Sequence, residues 1–284
     1  HTASTTISRY FTNTRGKALS TGWFGLSTAE FLMPVTIIYA LTIMDWRSIW
    51  IIISVAIILF LPMVSYFLVK EVKLSSREDG NEVIKENIKQ WKRSEVIKDY
   101  RFIIIALNML AMPWIATGIF VYQSFILSAK NWGEYTIAQS FMVYSIASVL
   151  TLFVAGYLID KFTSRKLLIY MNIPFLISLL ILIYFQSPVS SFFFLGLIGV
   201  SNGFANVLGS STWAELYGVK FIGSIKALTT ALMVFSTAFG TAFFGLMIDF
   251  DFSIEQISMI SGGYILISLI LLFLIKNKLN PTIL

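Results

Sequence analysis

The chain has 284 residues, of which 57% are hydrophobic and only 13% are charged. A soluble domain carries about 25% charged residues and about 45–50% apolar ones, so this composition excludes a water-soluble enzyme and a disordered chain. The sequence contains no cysteine, and its one histidine is His1, which excludes disulfides and thiolate metal sites and argues against histidine catalysis. We therefore expect an integral membrane protein that is not an enzyme and that uses no cofactor or metal.

Eight apolar segments are long enough to cross a bilayer, which needs about 20 mostly apolar residues per helix. They lie near residues 18–43, 47–69, 102–127, 135–158, 167–186, 191–210, 225–248 and 256–275. The predicted fold class is all-α, a polytopic membrane protein with eight transmembrane helices.

The basic residues predict how these helices are oriented. With a cytoplasmic N-terminus, nineteen of the 21 lysines and arginines fall on the inner side, and only Arg47 and Lys130 fall outside. Basic residues concentrate in cytoplasmic loops of membrane proteins. We therefore expect the linker and the C-terminus on the cytoplasmic side of the cell membrane, an inner or plasma membrane. Because orientation accounts for the basic charge, no basic face remains for nucleic acid.

An internal repeat relates the first and seventh segments. Residues 17–29 read KALSTGWFGLSTA and residues 226–238 read KALTTALMVFSTA, with seven identities at a constant offset of 209. Six predicted spans separate the two starts, and an even number restores the orientation. We expect a six-helix repeat unit, with four further helices before this chain. Chance similarity between two helices rich in Ala, Ser and Thr is the alternative.

This count divides the chain into three parts. Residues 1–69 are expected to end an N-terminal half with helices 5 and 6, residues 70–100 to form a central cytoplasmic linker, and residues 101–284 to form a C-terminal half with helices 7–12. Ile84, Ile88 and Trp91 have helical spacing among basic residues, which indicates a short amphipathic helix on the membrane surface. A disordered linker is the alternative.

Three short motifs resemble the major facilitator superfamily. Residues 156–166, GYLIDKFTSRK, are similar to the family's G-x-L-x-D-R-x-G-R-R/K loop, and by our count they join helices 8 and 9, where the family carries a weaker copy. Thr163 and Ser164 depart from the pattern where the family often has glycine, and Lys161 replaces arginine. Residues 15–18, RGKA, resemble the family's helix 4–5 loop, and residues 45–47, DWR, resemble its motif after helix 5.

The resemblance implies a twelve-helix 6+6 fold and secondary active transport of a small solute by alternating access, as in a symporter. It favours organic anions such as carboxylates as substrate, with sugar or drug export as the alternative. It further implies an ion or a proton as coupling partner and a monomer in the lipid bilayer. Because the sequence has no G-x-x-x-x-G-K-[ST] motif, the energy would come from a gradient. A non-transporting receptor or accessory subunit on the same fold is the alternative.

The 156–166 loop also indicates a gate on physical grounds. Gly156 permits a close helix approach, and Asp160 lies among cations at the inner membrane edge. Helix 11, expected to start near Gly223, presents the positive end of its dipole at the same face. Asp160 could pair with Lys226 or Arg165 there, and Glu215 with Arg165; an ordinary charged loop is the alternative. The gating candidates are Gly156, Asp160, Lys161, Arg165, Glu215 and Lys226.

Substrate contacts are expected where polar side chains interrupt the apolar helices. Pro113 and Gly118 break the regularity of helix 7, and broken helices often line central cavities. Interhelical hydrogen bonds and an interfacial aromatic belt are the structural alternatives, so about a third of the set is expected at a cavity. The candidates are Asn108, Trp114, Thr117, Tyr122, Gln123, Gln139, Tyr144, Asn202 and Asn206. We expect no buried lysine or arginine in the second half, so an anion would need a cation from the preceding helices.

Glu30 is the one charge deep within a predicted span, near the membrane midplane. A charge there costs about 2.5–3.5 kcal/mol on insertion scales and is a functional candidate. It is either a carboxylate that couples transport or contacts substrate, or a protonated or packed structural residue.

We predict that Glu30→Gln in the full-length protein abolishes coupled uptake, because the amide cannot exchange a proton. Uptake and its pH dependence in reconstituted vesicles test this. If both are unchanged in the variant, Glu30 is structural.

Overall fold

A computed structural model of the protein describes residues 6–7, 11, 14–71 and 88–283. Within these residues the regular structure is helical, with one isolated antiparallel bridge between Ile88 and Ile283. The chain divides into two compact units. Unit 1 comprises residues 1–27 and 87–284, and unit 2 comprises residues 28–86.

The helices of the described residues follow one another along the chain with short connections. They are α1 (Arg15–Leu41), α2 (Trp46–Glu71), α3 (Arg93–Val96), α4 (Tyr100–Ala111), α5 (Thr117–Val121), α6 (Gln123–Lys130), α7 (Glu134–Phe162), α8 (Ser164–Leu167), α9 (Ile173–Tyr184), α10 (Ser190–Tyr217), α11 (Ile222–Asp249) and α12 (Ile254–Ile275).

Seven helical stretches among the described residues are long and apolar enough to span a membrane. They are Trp46–Val64, Tyr100–Val121, Gln139–Phe162, Ser164–Tyr184, Ser190–Tyr217, Ile222–Asp249 and Ile254–Lys278. These stretches confirm the all-α membrane fold and correspond to the last seven predicted segments. The first predicted segment forms α1, which is not among the seven, so the count of eight spans stays a prediction.

The helix that carries Pro113 is broken, as its sequence predicts. Met112–Ala116 form a π-helical turn between α4 and α5, because proline has no N–H for the helical ladder and its ring displaces the preceding carbonyl. A second break lies at Tyr122, between α5 and α6. Gly118 has a different role: a Cβ there would lie 2.4 Å from the Phe244 ring, so this glycine permits α5 to pack on α11.

Helices α7 and α10 form the most extensive helix pair of unit 1. A Cβ at Gly199 would lie 2.2 Å from the Tyr144 carbonyl oxygen, and one at Gly203 would lie 2.6 Å from that of Ser148. The two glycines are four residues apart on α10, so they bring the two backbones together along one face, as small residues do in membrane helix pairs.

The end of unit 1 at which α7, α10 and α12 finish and α1 and α11 begin is called the basic face below. The loop after α7 contacts the segment after α12 at this face, where Arg165 Nη1 donates to the Leu279 carbonyl at 2.8 Å. At the opposite end, buried Lys130 forms an ion pair with Glu255 at 2.7 Å.

The final part of the linker is extended and not an amphipathic helix. Lys89 N–H donates to the Thr282 carbonyl, and Trp91 N–H donates to that of Tyr217. The Trp91 ring lies edge-on to the Tyr217 ring at 5.5 Å. The predicted helix is therefore wrong at Ile88 and Trp91, because the backbone there pairs with distant segments; Ile84 lies outside the described residues.

Unit 2 contains the second part of α1 and helix α2. At the start of α2, the Ser48 hydroxyl donates to the carboxylate of Asp45, the residue before the helix. This hydrogen bond lowers the pKa of the Asp45 carboxyl. The Arg47 guanidinium lies 4.4 Å from the centre of the Trp46 ring. The DWR motif thus lies at the start of α2, and its two charged side chains contact neighbouring residues of the same turn.

Candidate functional site

The carboxylate of Asp160 caps the N-terminus of α1. Its Oδ1 accepts the Gly16 N–H at 2.7 Å, and its Oδ2 accepts the Lys17 N–H at 3.1 Å. The first N–H groups of a helix have no partner within the helix and carry the positive end of its dipole. The sequence placed Asp160 beside the helix that starts near Gly223, whereas in the structure its carboxylate caps α1, which carries the first copy of the repeat.

The contact requires the small residues around it. A Cβ at Gly16 would lie 2.2 Å from the Gly156 carbonyl oxygen, and a Cβ at Gly156 would lie 2.7 Å from the Ser20 hydroxyl. Gly156 and Asp160 are one helical turn apart, so the glycine admits α1 and the carboxylate then receives its N-terminus. Any larger residue at Gly156 would push α1 away from the carboxylate.

Arg165 and Glu215 tie the loop after α7 to the rest of the basic face. Arg165 Nε lies 3.7 Å from Glu215 Oε2, and Arg165 Nη1 donates to the Asn280 side chain at 2.9 Å. Glu215 also accepts the Ser164 N–H, at 3.0 and 3.1 Å to its two oxygens. Lys161 is exposed, with Nζ 5.3 Å from the centre of the Phe162 ring.

Thr163 has a backbone conformation that normally requires glycine. Its φ is +74° and its ψ is 147°, a region that is essentially restricted to glycine and costs about 1–3 kcal/mol for other residues. Its hydroxyl is buried without a hydrogen-bond partner among the described residues. The departure from the family's loop pattern at this position therefore has a physical cost.

A cluster around Asp99 was missed in the sequence. Asp99 caps α4 through the Arg101 N–H, forms an ion pair with Arg101 Nη2 at 2.8 Å and accepts the Tyr217 hydroxyl at 3.1 Å. Arg101 also donates to the Asn280 carbonyl at 2.8 Å. An aspartate directly before an apolar run is a helix-start signal, so the cap was predictable, whereas its partners in α10 and the C-terminal segment were not.

A cavity of about 430 Å³ lies between α4, α5, α7, α10 and α11. Four predicted substrate candidates line it: Thr117, Tyr144, Asn202 and Asn206. Asn202 Nδ2 donates to the Ser148 hydroxyl at 3.1 Å, which fixes its amide. Asn206 has no hydrogen bond to another described residue. Trp23 and Trp213 are among the other lining residues, most of which are apolar.

Lys226 also lines the cavity and is only 4% exposed. The expectation that the second half has no buried cation is therefore wrong. The sequence places Lys226 near the start of α11, where a lysine usually extends to the interface. In the fold this first turn packs inside unit 1, where Arg15 is also buried, with 7% exposed.

The other candidates lie elsewhere. Asn108 is fully buried. Its side-chain amide donates to the Ser268 hydroxyl at 3.3 Å and its backbone carbonyl accepts the Asn172 side-chain amide at 2.6 Å, so it connects α4 to α12 and to the start of α9. Trp114 packs edge-on against Phe239, Phe243 and Tyr264.

The remaining candidates do not line the cavity. Gln139 is exposed, and Tyr122 and Gln123 are half-buried at the second helix break. Glu30 lies in α1, but its side chain lies outside the described residues.

The fold defines a polytopic helical membrane protein with a cavity among its spans. A family model described as Major Facilitator Superfamily matches residues 1–240 and, in an overlapping match, residues 103–283. The chain belongs to the Major Facilitator Superfamily and is a membrane transporter. A search of curated proteins gives no significant match.

We predict that Thr163→Gly stabilises the protein by about 1 kcal/mol, because it removes the strain of the positive φ and outweighs the greater backbone freedom of glycine. For a domain of this size the apparent melting temperature in detergent should rise by about 2–4 °C.

Thr163→Ala is the matched control for this prediction. It also removes the buried hydroxyl but keeps a Cβ at a positive φ, so it should gain less than the glycine variant. Equal melting temperatures for the two variants would show that the backbone is not strained.

Proposed function

We propose that this protein is a secondary active transporter of a small organic anion, such as a carboxylate. The observation that carries the proposal is Lys226, a buried cation at the wall of a cavity among membrane-spanning helices. A charge in such a place is costly and usually serves substrate or ion binding. A substrate carboxylate next to Lys226 would offset part of that cost.

The rest of the cavity suits such a ligand. Its volume of about 430 Å³ is within the usual range of small-molecule sites, roughly 300–1,000 Å³. The Asn206 amide would supply a hydrogen bond, and the rings of Trp23 and Trp213 would contact an apolar body. Small-molecule sites typically combine a few placed polar groups with an apolar lining in this way.

Alternating access requires a contact that can open and close. We assign this gating role to the contact between Asp160 and the N-terminus of α1. Its bonds to Gly16 and Lys17 hold α1 against α7 at the basic face, beside the cavity that Trp23 of α1 lines. Opening would break these two hydrogen bonds and the charge–dipole contact, and it would also expose part of the buried Leu19 side chain, while each helix stays intact internally. Gly156, Arg165 and Glu215 would position the loop, and Lys161 would contribute charge at its surface.

Coupling and orientation complete the proposal. We assign Glu30 as the carboxylate that couples uptake to an ion or proton. We place the basic face on the cytoplasmic side, because lysine and arginine concentrate in the cytoplasmic loops of membrane proteins. The repeat of residues 17–29 and 226–238 supports two six-helix halves, since each copy lies in a long helix that begins at the basic face. We expect a monomer, the usual state of this superfamily.

We predict that Lys226→Met lowers kcat/KM for the transported anion by about 10- to 100-fold, which corresponds to loss of a charged hydrogen bond of about 1.5–3 kcal/mol. The substrate is first identified by uptake of labelled mono- and dicarboxylates, with neutral sugars for comparison, into vesicles that contain the full-length protein. Lys226→Arg should retain part of the activity.

Lys220→Met is the control, because this lysine is exposed just before the same helix, and it should change uptake less than twofold. Transport of a neutral or cationic solute that does not depend on Lys226 would refute the anion assignment. A carboxylate that stabilises the protein but is not taken up would favour a receptor on the same fold.

We predict that Asp160→Asn speeds labelling of the cavity from the basic face about fivefold, because loss of a charge–dipole contact of about 1 kcal/mol shifts the gate toward opening. These 284 residues contain no cysteine, so a Thr230→Cys substitution in the cavity wall, made in full-length protein with any other cysteine replaced, reports access to an impermeant maleimide.

Asp249→Asn is the matched control, since Asp249 is exposed at the opposite end of α11 and should leave the rate unchanged. If Asp160→Asn does not speed labelling, or if both variants speed it equally, the capping contact does not control access.

A further inference from the structure

A second cavity lies at the basic face, away from the proposed transport site. This groove of about 680 Å³ lies between the loop after α7 and the end of α12. We infer that it binds the phosphate headgroup of an anionic phospholipid. The inference does not depend on which solute the central cavity transports.

The polar side of the groove is basic. Arg165, Lys166 and Lys276 line it together with the amides of Asn277 and Asn280, and none of its described lining residues is acidic. Arg165 is already engaged by Glu215 and the C-terminal segment. The exposed Lys166 and Lys276 are therefore the cations that can meet a ligand.

The other side of the groove is apolar. Leu158 and Phe162 of α7, Ile169 and Tyr170 before α9, and Leu279 after α12 form it. A free phosphate would leave this surface unused, whereas a phospholipid places its glycerol and the start of its acyl chains beside its phosphate. The combination of cations and apolar wall thus selects a lipid over a soluble anion.

The groove also lies at the depth that a headgroup occupies. Three membrane-length stretches end or begin at it: Gln139–Phe162, Ser164–Tyr184 and Ile254–Lys278. Lys276 Nζ lies 3.7 Å from the centre of the Phe273 ring, which is 54% exposed, and Tyr170 is 58% exposed. Aromatic rings and lysines at span ends are typical of the membrane interface, and basic pockets between such helices bind anionic headgroups.

A bound headgroup would add a polar link between two segments that already pack together through Leu168 and Leu279 and are hydrogen-bonded through Arg165. The loop after α7 follows directly on Asp160, and the segment after α12 carries Lys276. Bridging them would fix the loop position from which Asp160 caps α1. The lipid would therefore stabilise the closed basic face.

Native mass spectrometry of the delipidated full-length protein tests the inference, with phosphatidylglycerol, phosphatidylcholine and glycerol phosphate as probes. We expect phosphatidylglycerol to bind more tightly than the other two. The double variant Lys166→Gln/Lys276→Gln should weaken its binding roughly twentyfold, because a lysine near an anionic lipid contributes about a fivefold factor. Both lysines are exposed, so the variant should fold, and its melting temperature without lipid checks this.

The matched control is Lys98→Gln/Lys220→Gln, which removes the same charge from exposed positions outside the groove; its affinity should stay within twofold. Equal weakening in both double variants would show general attraction to a basic surface and overturn the site. Equal binding of phosphatidylcholine would overturn the selection by charge. Binding of glycerol phosphate as tight as that of the lipid would show a soluble phosphate site instead.

Discussion

The capping of α1 by Asp160 is the contact on which the arrangement of the basic face depends. A helix N-terminus buried against another helix leaves several N–H groups without partners, and the carboxylate satisfies two of them. The close approach of Gly16 and Gly156 makes this geometry possible. The contact joins a carboxylate to the backbone dipole of α1, and one turn further along the helix Leu19 is fully buried in the core that also contains Leu152 and Ala155 of α7.

The two cavities are lined by lysines that differ in their exposure. Lys226 is turned inward and lines the space between the spans, whereas Lys166 and Lys276 are exposed at the rim of the outer groove. The same residue type is therefore found both buried and exposed, and its position in the fold determines whether it faces the central cavity or the outer groove. The loop from Asp160 to Lys166 connects the helix cap to the rim of the groove over a few residues, so events at the membrane surface and at the proposed gate are mechanically close.

Several features of the site show how local patterns mislead. The sequence predicts that Asp160 acts beside the helix that carries the second copy of the repeat, but the helix that it caps is α1, which carries the first copy. The helical spacing of Ile88 and Trp91 is real, yet their backbone groups pair with the C-terminal segment and with Tyr217. In both cases residues far apart in the chain supply the partners, and one-dimensional spacing contains no information on them.

The sequence by itself determined the membrane class, the positions of the apolar helices, the break at Pro113 and the family. These features follow from hydropathy, from the covalent structure of proline and from short motifs, all of which are local properties. Only the tertiary structure decided that Asp160 caps α1, that Lys226 is buried at a cavity and that Asn108 joins helices instead of lining it. The physical reason is that burial and partner choice depend on how helix faces rotate against one another. That rotation is fixed by glycines such as Gly199 and Gly203, whose packing partners lie more than one helix away in the chain.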